Sequence, residues 1–214
     1  MKLSKKGSEL ISLYQEMVDK GYKTSSGSDV QEDAFGDFEL RAYREQLKKD
    51  MEKFNLETLL DYGCGGSDWS LKGFNGDGKS AKEYFGLKEC YRYEPSRDLD
   101  DRQKVDCVVN FDVLEHVFIA DVPKVIDNIF SFAKKLVIIN VACYPARALL
   151  PNGENAHITV RHPIWWKSQV DFAALNYPEV SVLLLTSQAW RKTSAFPIYK
   201  ASNWLNSDKF VIDE

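Results

Sequence analysis

The stretch LVIINVAC, positions 136–143, holds seven apolar residues in eight. A run that short and that apolar suits a strand buried on both faces. Three more runs have the same character: ETLLDYG at 57–63, VDCVVNFD at 105–112 and EVSVLLLTSQ at 179–188. A fifth, KECYRYEP at 88–95, alternates and stops at a proline, which also reads as a strand. Strands buried on both faces need a layer of helices on each side, so these runs constrain the chain more than any other feature.

The segments between and before the strands supply those layers. Leu10, Ile11, Leu13, Tyr14 and Met17 recur at helical spacing within 4–21, and Leu40, Tyr43, Leu47, Met51 and Phe54 do so within 38–54. Glycines and serines break the pattern between the two. A short helix fits 81–85. VPKVIDNIFSFAKK has a helical period, and its two final lysines suit a helix C-terminus. HPIWWKSQVDFAALN reads as another helix, and FPIYKAS as a late strand. The expected fold is α/β, a Rossmann-like doubly wound, mostly parallel sheet with helices on both faces. Residues 1–56 would form an N-terminal helical lid over a binding domain at 57–214.

Bulk composition narrows the partners. The 214 residues are 44% apolar and 28% charged, which suits a globular core. The net charge of -4 argues against a general grip on nucleic acid. No apolar stretch approaches a membrane span, and no signal peptide is visible, so a cytoplasmic protein is expected. Cys64, Cys90, Cys107 and Cys143 have no CxxC spacing and read as free thiols.

The first strand runs into DYGCGGS. In open parallel sheets ligands bind beyond the carboxyl ends of strands. Glycines there permit tight turns and close approach of backbone to a ligand. Dinucleotides and S-adenosylmethionine (SAM) are the two ligand classes that use such a loop. Asp61 separates them. A fixed carboxylate is poor company for pyrophosphate but favourable for the ammonium and sulfonium of SAM. A dinucleotide fingerprint starting at Gly63 would need glycine at position 68, where Asp68 stands. No G-K-[ST] follows, which excludes a P-loop.

The chain here resembles class I SAM-dependent methyltransferases, whose first motif is an apolar strand followed by D/E-x-G-x-G-x-G. Asp61, Gly63 and Gly65 match it, and Ser67 stands in the place of the third glycine. Glu94 ends the next strand, where a carboxylate can accept from both ribose hydroxyls. The segment DCVVNFDVLEHV is similar to the "VLEH" region of small-molecule methyltransferases, the ubiquinone-biosynthesis type among them. Asp106, Asp112, Leu114, Glu115 and His116 carry that likeness. The resemblance implies that Asp61, Tyr62, Gly63, Cys64, Gly65, Glu94, Pro95, Phe111, Asp112 and Val113 hold SAM. It also turns His116 toward the substrate, where its pKa suits a general base. Only twelve positions separate Glu94 from Asp106, too few for a helix and a full third strand, so that region must be reduced. Leu99, Asp98, Asp100 and Asp101 are the candidates for its adenine pocket.

ACYPARALLPNGENAHITVRHPIWW continues from the end of the 136–143 strand, where loops border the substrate site. The combination of LLDYGCG, VLEHV and LPNGENAH resembles a bacterial and phage group of methyltransferases. His157 joins His116 as a candidate base, and Glu115, Asn155 and Arg161 are candidate substrate contacts. A zinc site from Glu154, His157 and His162 is disfavoured because no second compact ligand set accompanies it, and no metal is expected. Trp165 and Trp166 could stack on a planar substrate, although on a helix they diverge and burial takes at least one. YKTSSGSD is expected as a further substrate contact from the lid. The reading is SAM-dependent methyl transfer, by in-line displacement, to a small-molecule or carbohydrate-like acceptor with an oxygen or nitrogen nucleophile. A non-catalytic SAM-binding protein and a NAD-type oxidoreductase are the alternatives.

Overall fold

The computed structural model describes residues 1–30, 35, 39–190 and 192–201. Ser4 caps helix α1 (Lys5–Lys20) by accepting from the Gly7 amide, and Gly21 ends it with φ 75°. A two-residue hairpin follows, β1 (Tyr22–Lys23) with β2 (Asp29–Val30). The helix expected over 38–54 is two pieces, a 3-10 turn Glu39–Tyr43 and α2 (Arg44–Glu52). Phe38 lies outside the described residues.

The remaining elements are β3 (Thr58–Tyr62), α3 (Ala81–Phe85), β4 (Glu89–Glu94), β5 (Leu99–Asp100), β6 (Val105–Phe111), α4 (Val122–Phe132), β7 (Ala133–Ala142), α5 (Pro163–Ala174), β8 (Ser181–Ala189) and β9 (Lys192–Tyr199). Seven of the strands make one sheet in the order β5-β4-β3-β6-β7-β8-β9. The five central strands are parallel, and both edges are antiparallel. This mixed α/β arrangement, mostly parallel and flanked by helices, is compatible with a Rossmann-like fold.

Alternation along each strand assigns the two faces. Leu60, Val108, Val137, Ile139, Val182 and Leu184 meet α4 and α5 on one side. Leu59, Cys107, Val109, Leu136, Ile138, Leu183 and Leu185 meet α2, α3 and the loop before α3 on the other. Helix α4 shows why it docks there. Val122, Val125, Ile126, Ile129 and Phe130 fall at i, i+3, i+4, i+7 and i+8, and all are buried.

The two lysines expected at the end of that helix are not in it. Helix α4 stops at Phe132, Ala133 turns extended, and Lys134 and Lys135 open β7. Lys135 reaches the Asp106 carboxylate at 3.2 Å and the Asn55 carbonyl at 2.9 Å, a pull toward the neighbouring strand that helical spacing could not reveal.

The third-strand region is reduced, as its length required. After Glu94 a 3-10 turn, Pro95–Arg97, and Asp98 at φ 52° reverse the chain into β5, two residues long and antiparallel to β4. A third, smaller core lies beyond the strand ends. There Leu10 and Met17 of α1 pack on Leu150 and Ala156, with Tyr14, Tyr22, Phe35 and Phe118 around them. Helix α1 therefore lies across the carboxyl edge of the sheet. Helix α2, through Leu47 and Met51, belongs to the core on one sheet face. Among the described residues no helix is long and apolar enough to cross a membrane.

Candidate functional site

The chain leaves β3 toward β4 on one side and later fills β6, β7 and β8 on the other. The crevice where strand order reverses is the place for a ligand in an open α/β sheet. A cavity of about 560 Å³ opens there. All ten expected cofactor contacts line it. Asp61, Tyr62, Gly63, Cys64 and Gly65 come from the end of β3, and Glu94 and Pro95 from the end of β4. Phe111, Asp112 and Val113 come from the end of β6, and Ser67 from the glycine loop.

The glycine loop and Glu94 are knitted together. Gly65 N–H donates to Glu94 Oε2 at 3.1 Å, while Ser96 donates to Oε1 through its amide at 3.0 Å and its hydroxyl at 2.7 Å. Gly63 and Cys64 amides both donate to the Tyr93 carbonyl. Three of the carboxylate's four acceptor positions are thus taken, two of them on Oε1, and the open one is on Oε2. The bareness of the glycines serves the protein itself. A Cβ on Gly63 would sit 2.5 Å from the Val113 side chain, and one on Gly65 would sit 2.7 Å from the Phe35 carbonyl. Both also hold positive φ, 86° and 54°.

Asp61 is buried. Among the described residues its hydrogen-bond donor is the Trp69 indole, at 2.8 Å. Desolvation lifts its pKa to about 7, against the opposing pull of that hydrogen bond. The fit to a cationic ligand rests on this acid. It is aimed into a cavity, under-compensated by protein cations, and would be drawn into its charged form by a ligand ammonium.

At the far side of the cavity His116 and His157 meet edge to face, 4.8 Å between ring centroids, and both line the wall. His116 sits on a 3-10 turn, Leu114–His116. Its Nδ1 lies 2.5 Å from the Tyr14 hydroxyl and 3.0 Å from the Ala156 carbonyl, and Tyr14 donates to that same carbonyl at 2.7 Å. Burial, helped by His157, depresses the His116 pKa to about 4. That makes it neutral at pH 7 and a weak base. His157 Nδ1 is 2.5 Å from the Tyr144 carbonyl. Asp112, at φ 58°, completes the group. One ligand atom from each of Asp112, His116 and His157 lies within 4.8 Å of the others.

The three expected substrate contacts stand off the cavity wall. Glu115 is fully buried, accepts from the Ala142 amide at 2.5 Å and offers its own carbonyl to the Thr159 amide. Burial, then the charge of Asp112, pushes its pKa well up. It fixes the turn that carries His116. Asn155 staples its own loop, donating to the Ala146 carbonyl and accepting from the Ala146 and His157 amides. Arg161 is exposed, bonded to the Val160 carbonyl and lying over the Trp165 ring.

Other expectations are also redirected. Glu154 pairs with Lys6 at 2.7 Å, and exposed His162 caps α5 by accepting from the Ile164 amide, so neither joins His157. Trp166 is fully buried and Trp165 lies beside it, away from the cavity. Of the stretch YKTSSGSD, Tyr22 lines the cavity. Asp98, Leu99, Asp100 and Asp101 do not line it; Asp100 instead holds Arg102 at 2.6 Å, and Arg102 covers the Tyr93 ring. Tyr93, Ser96 and Arg97 form that part of the wall. Sequence reasoning missed Tyr14, because an aromatic on an apolar helical stripe reads as core. Comparison with family models, with curated proteins and with solved structures gives no match to this chain.

Proposed function

We propose that the protein binds SAM at the ends of β3 and β4 and transfers its methyl group to a small-molecule acceptor held under α1. The observation that carries this reading is the pairing of Asp61 and Glu94 across a glycine loop at the topological switch point, both facing one cavity. Asp61 suits the ammonium of the methionine moiety, and Glu94 suits ribose hydroxyls. The bound sulfonium would supply an already activated methyl group, so the protein's task is alignment and exclusion of water. Helix α1 helps with the second task. Leu3, Leu10, Ile11 and Val18 give the cavity an apolar outer wall, which favours an acceptor with an apolar body over a free sugar.

The dinucleotide alternative loses ground on geometry. Such a loop opens directly into a helix whose N-terminus holds pyrophosphate. Here no helix begins between Tyr62 and Ala81, and α3 is five residues long.

The test is transfer of label from methyl-tritiated SAM into a small-molecule extract of cells. Label in low-mass solutes with wild-type protein, and none with Asp61→Asn, is the expected result. Binding of SAM with no transfer to any fraction would favour the non-catalytic reading, and label in nucleic acid would overturn the acceptor class.

A further inference from the structure

We infer that Asp112, His116 and His157 form a site for a single divalent transition-metal ion on the acceptor side of the cavity. The three side chains come from the end of β6, from the 3-10 turn after it and from the loop after β7, and all three line the cavity. Among the described residues they are the group of acidic, histidine or cysteine side chains whose ligand atoms converge within 4.8 Å.

The ring orientations carry the argument further than proximity. The bonds around His116 close consistently when Nδ1 bears the proton. Nδ1–H then faces both the Tyr14 oxygen and the Ala156 carbonyl, while the Tyr14 hydroxyl donates to that carbonyl. His157 Nδ1 faces the Tyr144 carbonyl, which can only accept. Both imidazoles are therefore held as Nδ1–H tautomers, with the Nε2 lone pair left to a ligand. Metal-binding histidines are oriented this way, by a carbonyl or carboxylate on the opposite nitrogen.

Asp112 supplies the charge. It is an exposed, non-glycine residue held at φ 58°, a backbone conformation that costs stability and clusters at functional sites. Metal–nitrogen and metal–oxygen bonds of about 2.0–2.2 Å would draw the donors roughly 1 Å closer than they stand. The exposed carboxylate has the freedom to make that move. Two nitrogens and one carboxylate on one side of an ion, with the cavity on the other, suit zinc, iron(II), cobalt(II) or manganese(II) with open positions, better than calcium or magnesium. If the methyl-transfer reading holds, the open positions select an acceptor with adjacent oxygen donors. The metal site itself stands independently of that reading.

The experiment is titration of chelator-stripped protein with cobalt(II), followed by visible absorption and by melting temperature, in the absence of SAM. One equivalent per chain is expected, with ligand-field bands of nitrogen and oxygen donors, no thiolate charge-transfer band, and a rise in melting temperature. His157→Ala and Asp112→Asn should each weaken binding at least about tenfold. His162→Ala, which changes an exposed histidine away from the cavity, should not. Circular dichroism shows that each variant is folded. No saturable binding by folded wild-type protein would overturn the proposal. So would a thiolate spectrum, or binding that survives His157→Ala and Asp112→Asn together. SAM binding by the stripped protein is measured separately, so failure of one reading does not disguise failure of the other.

Discussion

Tyr14 on the first helix places its hydroxyl 2.5 Å from Nδ1 of His116, 102 positions later in the chain. This contact ties α1 to the carboxyl edge of the sheet and sets the His116 ring at the same time. Tyr14→Phe should cost about 1–2 kcal/mol in denaturant unfolding, since it removes the hydroxyl's contacts with both His116 Nδ1 and the Ala156 carbonyl. On the proposed reading Tyr14 would stand on the acceptor side, so SAM affinity should change less than about threefold while methyl transfer falls by roughly ten- to a hundredfold. Equal losses in both would show instead that Tyr14 only supports the fold.

Asp61 should make the free protein less stable as pH rises. Its folded pKa is about 7 against 3.8 for the ordinary carboxylate. The native state therefore holds a proton that the unfolded chain has released between these values. Stability falls through that window and levels off above pH 7, by at most roughly 4 kcal/mol for the single group. Asp61→Asn should flatten this trend in melting temperature from pH 5 to 8 and raise the value at pH 8. The same titration makes affinity for a cationic ligand climb from pH 6 to 7.5 in the wild type and not in the variant. A variant that melts lower at pH 8 would contradict this account of Asp61.

Gly63 has two reasons to be glycine, and they separate in a double mutant. Gly63→Ala forces a Cβ against Val113 at φ 86° and should cost about 2–3 kcal/mol or more. Adding Val113→Ala removes the overlap and should recover part of that loss, leaving the backbone strain. Gly78→Ala, at φ 80° with nothing near its Cβ, should cost about 1 kcal/mol. Unfolding curves of the four proteins test the partition.

The start of α1 is pinned by one buried acid. Asp121 accepts from the Ser4 amide at 2.9 Å and the Ser4 hydroxyl at 2.5 Å, and a Cβ on Gly7 would fall 2.3 Å from its Oδ2. Asp121→Ala or Gly7→Ala should free the helix locally. Proteolysis within residues 1–30 should quicken by about tenfold or more while the sheet stays folded. Unchanged cleavage would mean that the apolar contacts of Leu10 and Met17 hold α1 unaided.

The strands were legible because burial on both faces leaves continuous apolar runs, as in 136–143, and the mostly parallel character of the sheet followed from their alternation with helices. The ten residues expected around the cofactor meet in one cavity for a related reason: strand ends are fixed by those runs, and ligands gather at strand ends. Substrate-side contacts were less legible. Asn155 and Glu115 are polar residues in a loop and a turn, and nothing local distinguishes a side chain that holds backbone from one that meets a ligand. Lys134 and Lys135 went to the wrong element because a helix runs straight into a strand there, with no glycine or proline to mark the change. The approach of Asp112, His116 and His157 joins residues up to 45 positions apart and depends on how the loop after β7 folds back.

Equilibrium dialysis of the folded protein against SAM, S-adenosylhomocysteine and NAD tests the central claim most directly, with Asp61→Asn beside the wild type. The account expects one SAM per chain at micromolar affinity, S-adenosylhomocysteine bound as well, NAD not bound, and SAM weakened at least about tenfold by the substitution. Folded wild-type protein that retains neither SAM nor S-adenosylhomocysteine, or that prefers NAD, would contradict it.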